Sequence, residues 1–122
     1  ETNVFEIRII EGQADDVLAL VKEVTRPPDM PKELYLKNIL ENGSYRAKVL
    51  KCADRISNLT DLNTDTHSVK KINDYLDQTE KWVLPMAQQV NQNMFRELSD
   101  LIISRRKYAR YASELKPENG SE

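Results

Sequence analysis

The chain has 122 residues, enough for one domain with a modest core. It is 39% hydrophobic and 31% charged, with only 3 glycines and a formal net charge of −2. That composition favours a helical domain over a β-sandwich, and the charge argues against broad electrostatic binding to nucleic acid. No apolar run approaches the roughly 18 residues of a membrane span, so neither a membrane nor a nucleic acid is expected as a partner. The single cysteine, Cys52, leaves no disulfide framework within the chain and suits a reducing, cytoplasmic setting.

The chain opens on Glu1, which reads as a cut inside a larger protein or as processing. "VFEIRII" alternates over five residues, which would allow a strand, but no partner strand follows downstream; a short helix or irregular segment is expected. "GQADDVLALVKEVT" predicts a separate helix, with Val17, Leu20, Val21 and Val24 at helical spacing and two aspartates in the first turn. "RPPDMP" ends it, because prolines remove backbone donors and hold the chain extended. A third helix runs from about Pro31 to Asn42, with Leu34, Leu36, Ile39 and Leu40 as its apolar side. Ser44 is the expected cap of the next and longest apolar helix. After "NTDTHS", Thr66 or Ser68 caps a helix through Ile72, Tyr75, Leu76, Trp82 and Val83, which Pro85 kinks or ends. A last helix covers about Asn91 to Leu115, with Met94, Leu98, Leu101, Ile102 and Tyr108 turned inward. "KPENGSE" reads as a disordered tail. The expectation is an all-α bundle of five to six helices over residues 1–115 and a flexible tail over 116–122.

The helix after Ser44 carries the informative pattern. Lys51, Asp54, Asn58 and Asp61 fall within about 80° of one another on a helical wheel. Val49, Cys52, Ala53, Ile56 and Leu59 occupy a separate arc roughly opposite. From pattern alone, such a polar row is the solvated side of an amphipathic helix. Elsewhere, "ISRRKYARY" gathers Arg105, Arg106, Lys107 and Arg110 beside two tyrosines, but it reads as a solvated helix end. Met86 and Met94 read as core fillers, Trp82 as packing near the kink, and His67 as a solvated loop residue.

"KVLKCADRISNLTDL" resembles the K-x-A-D-R/K-x-x-N-L segment of RelA/SpoT-type HD hydrolases, including the small alarmone hydrolases. "DDVLALVKEVTRP", "YLKNILENGSYRAKVLKCAD" and "NTDTHSVKKINDYLDQTEKWV" resemble flanking stretches of that family in the right order, so the likeness spans about Ala14 to Val83. The resemblance implies an HD-domain-like helical bundle whose N-terminal helices are missing here. It implies metal-dependent removal of the 3′-pyrophosphate from the alarmones ppGpp or pppGpp. Asp54 would be a ligand of Mn²⁺, and a hard carboxylate suits such a metal. Asn58 would face the guanosine, Lys51 and Arg55 would shape or neutralise the phosphate side, and Tyr75 would place its ring against the substrate, with Asp61 at a variable position nearby. The family's other metal ligands, a His and a His-Asp pair, have no counterpart here, and His67 matches neither. "ET" at residues 1–2 resembles the end of the family's H-D-x-x-E-D-T stretch, which would make Glu1 a catalytic acid. The chain alone is then expected to be inactive and to associate with the missing segment or with itself. The alternatives are an HD phosphohydrolase for another nucleotide, a degenerate HD domain that binds a nucleotide or partner without hydrolysis, and a helical module whose polar row is mere surface.

Overall fold

The computed structural model describes residues 4–62 and 67–115. Six α-helices follow in chain order: α1 (Val4–Glu23), α2 (Lys32–Asn42), α3 (Tyr45–Thr60), α4 (Val69–Gln78), α5 (Leu84–Val90) and α6 (Gln92–Leu115), with a π-helical turn at Thr79–Val83 joining α4 to α5. Among the described residues there is no strand, and no helix is long and apolar enough to cross a membrane. The expected all-α bundle is what forms. Glu1, Thr66 and the tail 116–122 lie outside the described residues.

The caps follow from the local sequence. Ser44 Oγ accepts from the Ala47 N–H at 3.1 Å, and Ser68 Oγ accepts from the Lys71 N–H at 3.1 Å. Each satisfies one of the donors that a helix start leaves unpaired. Asn91 serves α6 in the same way, its Oδ1 accepting from the Met94 N–H at 3.0 Å. Between α2 and α3 the chain comes so close to itself that a Cβ on Gly43 would stand 2.5 Å from the Ile39 carbonyl oxygen. Only glycine fits there without a backbone shift.

Two element boundaries differ from the sequence expectation. The first two segments are one 20-residue helix, because Gly12 faces open space and does not break it. A glycine inside a helix costs only about 1 kcal/mol. Pro85 neither ends nor bends the chain out of helix; it sits in the first turn of α5, and the π turn precedes it. Proline has no N–H and its ring collides with the carbonyl four residues back. The π turn widens the backbone there, with the Leu84 N–H reaching the Thr79 carbonyl.

The core is formed by α3, α4, α5 and α6, with α2 packed on the π turn. Leu36, Cys52, Leu59, Leu76, Val83, Met86, Ala87, Leu98 and Ala109 have no exposed surface. Three assignments of inner faces need correction. Tyr108 is 58% exposed, and Ala109 takes the inward position in the last turns of α6. On α2, Leu34 is exposed while Tyr35 is buried. The Tyr35 ring lies under Lys51, and its hydroxyl donates to the Val24 carbonyl, so its polar end is satisfied. On α3, Ala53 is exposed. The apolar side of α1 is also largely exposed, with Val17 at 54%, Leu18 at 54% and Val21 at 48%.

Burial pushes the Cys52 thiol up to about 11, and its Sγ lies 3.8 Å from the Val83 carbonyl oxygen. A thiol reagent at pH 8 should therefore leave the native chain unmodified and titrate one thiol only in denaturant. Truncation of a fully buried core side chain, Leu98→Ala, should lower unfolding free energy by about 2–5 kcal/mol in urea titration.

Candidate functional site

Of the row on α3, Asp54, Asn58 and Asp61 are exposed and Lys51 is half-buried. The row faces α4. Asn58 Nδ2 donates to Tyr75 Oη at 3.1 Å and lies 3.4 Å from Asp54 Oδ2. Asp54, Asn58 and Tyr75, from two separate helices, thus form one connected line. Asp61 ends α3, its N–H reaching the Ser57 carbonyl at 3.1 Å.

Beside that line lies a cleft of about 390 Å³ lined by Asn58, Asp61, Leu62, His67, Lys71, Ile72 and Tyr75. Its mixture of an aromatic ring, aliphatic carbons and a few convergent polar groups suits a small organic ligand. Larger grooves of about 800 and 640 Å³ run along α6. They are open surfaces formed chiefly by the last turns of one helix and hold neither Tyr75 nor any residue of the α3 row, so the smaller cleft is the better candidate.

Arg55 is placed differently from its neighbours in the motif. It is 1% exposed, with Nη1 donating to Thr79 Oγ1 at 2.8 Å and Nη2 to Gln78 Oε1 at 3.2 Å. The guanidinium carbon lies 4.2 Å from the centre of the Tyr75 ring. Its Nε is buried without a hydrogen-bond partner. Burial lowers its pKa, while Tyr75 and Asp54 act to raise it. Arg55 therefore sits beneath the site and acts on it by charge and by holding Tyr75, rather than by reaching into it.

Two further cations border the line. Lys32, at the start of α2, lies 6.0 Å from the centre of the Tyr75 ring, and Lys51 lies 5.0 Å from that of Tyr35. Partial burial lowers the pKa of Lys32, with Arg55 and Arg26 adding to the effect and Asp54 opposing it. Burial likewise lowers that of Lys51; Asp54 opposes this, and Arg55 and Lys32 reinforce it. Burial and the Asp54 charge together hold the Tyr35 hydroxyl above its ordinary value.

The fit to a metal is limited. Among the described residues no group of three His, Cys, Asp or Glu side chains could hold a metal ion. Asp54 offers one hard oxygen ligand, and a divalent ion needs several oxygen or nitrogen donors. The described residues alone do not make a metal centre.

Sequence reasoning had singled out Asn58, Asp61 and Tyr75, and the fold brings them together at the cleft. It missed Lys32, Tyr35, Thr79 and Gln78, which have no periodic signature of their own. Thr79 was recoverable in part, since it follows Tyr75 by one helical turn on the same face. Two arginines of the basic run on α6 are spent on structure. Arg105 Nε and Nη2 donate to the Leu59 and Thr60 carbonyls at 2.8 and 3.2 Å, and Arg106 pairs with Asp77 and Glu80 at 2.8 and 2.9 Å.

No family model and no curated protein matches this chain.

Thr79→Val should remove an acceptor from the buried Arg55 and lower stability by about 1–3 kcal/mol in urea titration. Adding Arg55→Met should recover part of that loss, because the stranded charge goes with it.

Proposed function

We propose that this chain forms the nucleotide-facing part of an HD-type hydrolase site that removes the 3′-pyrophosphate of ppGpp or pppGpp. The observation that supports this most is the line of Asp54, Asn58 and Tyr75 beside a cleft that also takes in Asp61. These are the residues that the resemblance assigns to the metal, the guanosine and the substrate ring contact. In this reading the nucleoside occupies the cleft against Tyr75, and its phosphates lie toward Lys51 and Asp54. A divalent metal such as Mn²⁺, when bound, supplies a water of lowered pKa. Asp54 is its one ligand among the described residues, so the His and His-Asp ligands must come from outside them. Glu1 lies outside the described residues, and its catalytic role rests on the resemblance alone.

The exposed apolar side of α1, at Val17, Leu18 and Val21, is where the rest of such a domain or a second copy would seat. An alarmone substrate belongs in the cytoplasm. The exposure of Asp54 and Asn58 is what a second reading expects, a helical module whose polar row is mere surface.

The deciding experiment is ppGpp hydrolysis with Mn²⁺ by this chain and by the complete gene product, with Asp54→Ala in each. The chain alone should be inactive; the complete product should be active and should fall to background on Asp54→Ala. Hydrolysis of a different nucleotide by the complete product would replace ppGpp as substrate. Nucleotide binding without any hydrolysis would favour the degenerate domain.

A further inference from the structure

Helix α6 carries a second pattern, on the side turned away from the core. Arg96, Asp100, Ile103, Lys107, Arg110 and Glu114 follow one another at steps of four and three residues, and all six are exposed. At about 100° per residue they stay within about 80° of one another on the helix. Leu98, Ile102 and Ala109 are buried on roughly the opposite side. Ile103 in the stripe, and Tyr108, Tyr111 and Leu115 beside it, are each more than half exposed. A groove of about 800 Å³ runs past Ile103, Lys107, Tyr108 and Tyr111. Tyrosine rings and aliphatic carbons gathered in this way are the makings of a contact surface.

The charges of the stripe have no use inside the bundle. Arg105 and Arg106 reach other helices, but among the described residues none of Arg96, Asp100, Lys107, Arg110 and Glu114 takes part in an ion pair. Arg96 and Asp100 stand four residues apart, as do Arg110 and Glu114. In each case the base comes first, which is the poorer order for pairing within one helix. Between two copies the same order is self-complementary. Laid antiparallel, the stripe brings Asp100 opposite Arg110 of the second copy and Arg96 opposite its Glu114, each pair occurring twice. Ile103 then faces the aliphatic stem of Lys107. Laid parallel and in register, the stripe would oppose like charge to like at every charged position.

We propose that this face is a self-docking surface, on which two copies of the chain pair through antiparallel α6 helices about a two-fold axis between Ile103 and Lys107. Ile103 and the tyrosines supply the apolar contact, and the four ion pairs fix direction and register. The pairing does not depend on the nucleotide reading, and it uses a different side of the molecule from the exposed face of α1.

The test is sedimentation equilibrium of this chain in low salt. The wild-type chain should dimerise, more weakly as salt is raised. Asp100→Arg and Arg110→Asp should each weaken the dimer about tenfold, because each sets two repulsions in place of two attractions. An equimolar mixture of these two variants should recover wild-type affinity, since one pair is then native and the other is remade with its charges exchanged. Ile103→Asp should be monomeric. Leu18→Asp, on the exposed side of α1, should dimerise like wild type. Unchanged thermal melts show that the variants are folded. A wild-type chain that stays monomeric up to about 1 mM overturns the proposal. So does a dimer lost in Leu18→Asp but kept in Ile103→Asp, or a mixture of the two charge variants that associates no better than either alone.

Discussion

A guanidinium with almost no exposed surface and no carboxylate on its hydrogen bonds is the constraint around which this fold is arranged. Burying a charge is costly unless its donors are met. Arg55 meets this with a hydroxyl, an amide and the face of a tyrosine. Thr79 supplies the hydroxyl and donates its own hydrogen to the Tyr75 carbonyl at 2.8 Å, so one residue ties α3 to the junction of α4 and the π turn. The π turn and Pro85 that follow are thus next to the site's foundation rather than an irregularity at its edge.

Because Arg55 fixes the Tyr75 ring from below, the exposed row of α3 acquires a firm wall on α4. Asn58 then bridges that wall to Asp54. The far end of the same helix is fastened separately, by Arg105 reaching across from α6 to the last carbonyls of α3. A cation suits that position, where the helix dipole is negative. The middle and the far end of the row are thereby held by arginines that do not themselves lie in it.

Much of this was legible in the sequence. Ser44, Ser68 and the prolines at 27 and 28 mark boundaries through short-range chemistry, and those boundaries hold. Stripe residues Asp54, Asn58 and Asp61 were placed correctly because 3.6-residue periodicity fixes a helix face without reference to the rest of the fold. Arg55, expected to shape or neutralise the phosphate side, is buried, since its position at the margin between the two arcs leaves its direction to tertiary packing. Tyr35 and Leu34 exchanged roles for a similar reason: a tyrosine whose hydroxyl finds a carbonyl can be buried more favourably than a leucine facing water. Lys32 and Gln78 belong to the site only through the way α2 lies on the π turn, and no local pattern records that.

The attachment of α1 has a consequence for motion. From residue 12 to its end, every residue of this helix is exposed except the half-buried Leu20. Its C-terminal end is secured by Glu23, whose carboxylate accepts from the Ser44 N–H at 2.8 Å and the Ser44 hydroxyl at 2.7 Å, and by Tyr35 bonding the carbonyl of Val24. Those bonds from Ser44 hold the Glu23 pKa below its ordinary value, so the latch is closed above the usual carboxylate range and loosens as pH falls through that lowered value. In amide exchange the exposed part of α1 should then open more readily than the bundle. From residue 12 onward the amides of α1 should exchange once the Glu23 and Tyr35 bonds release, while those beneath Leu59 and Leu98 wait for the whole bundle to open.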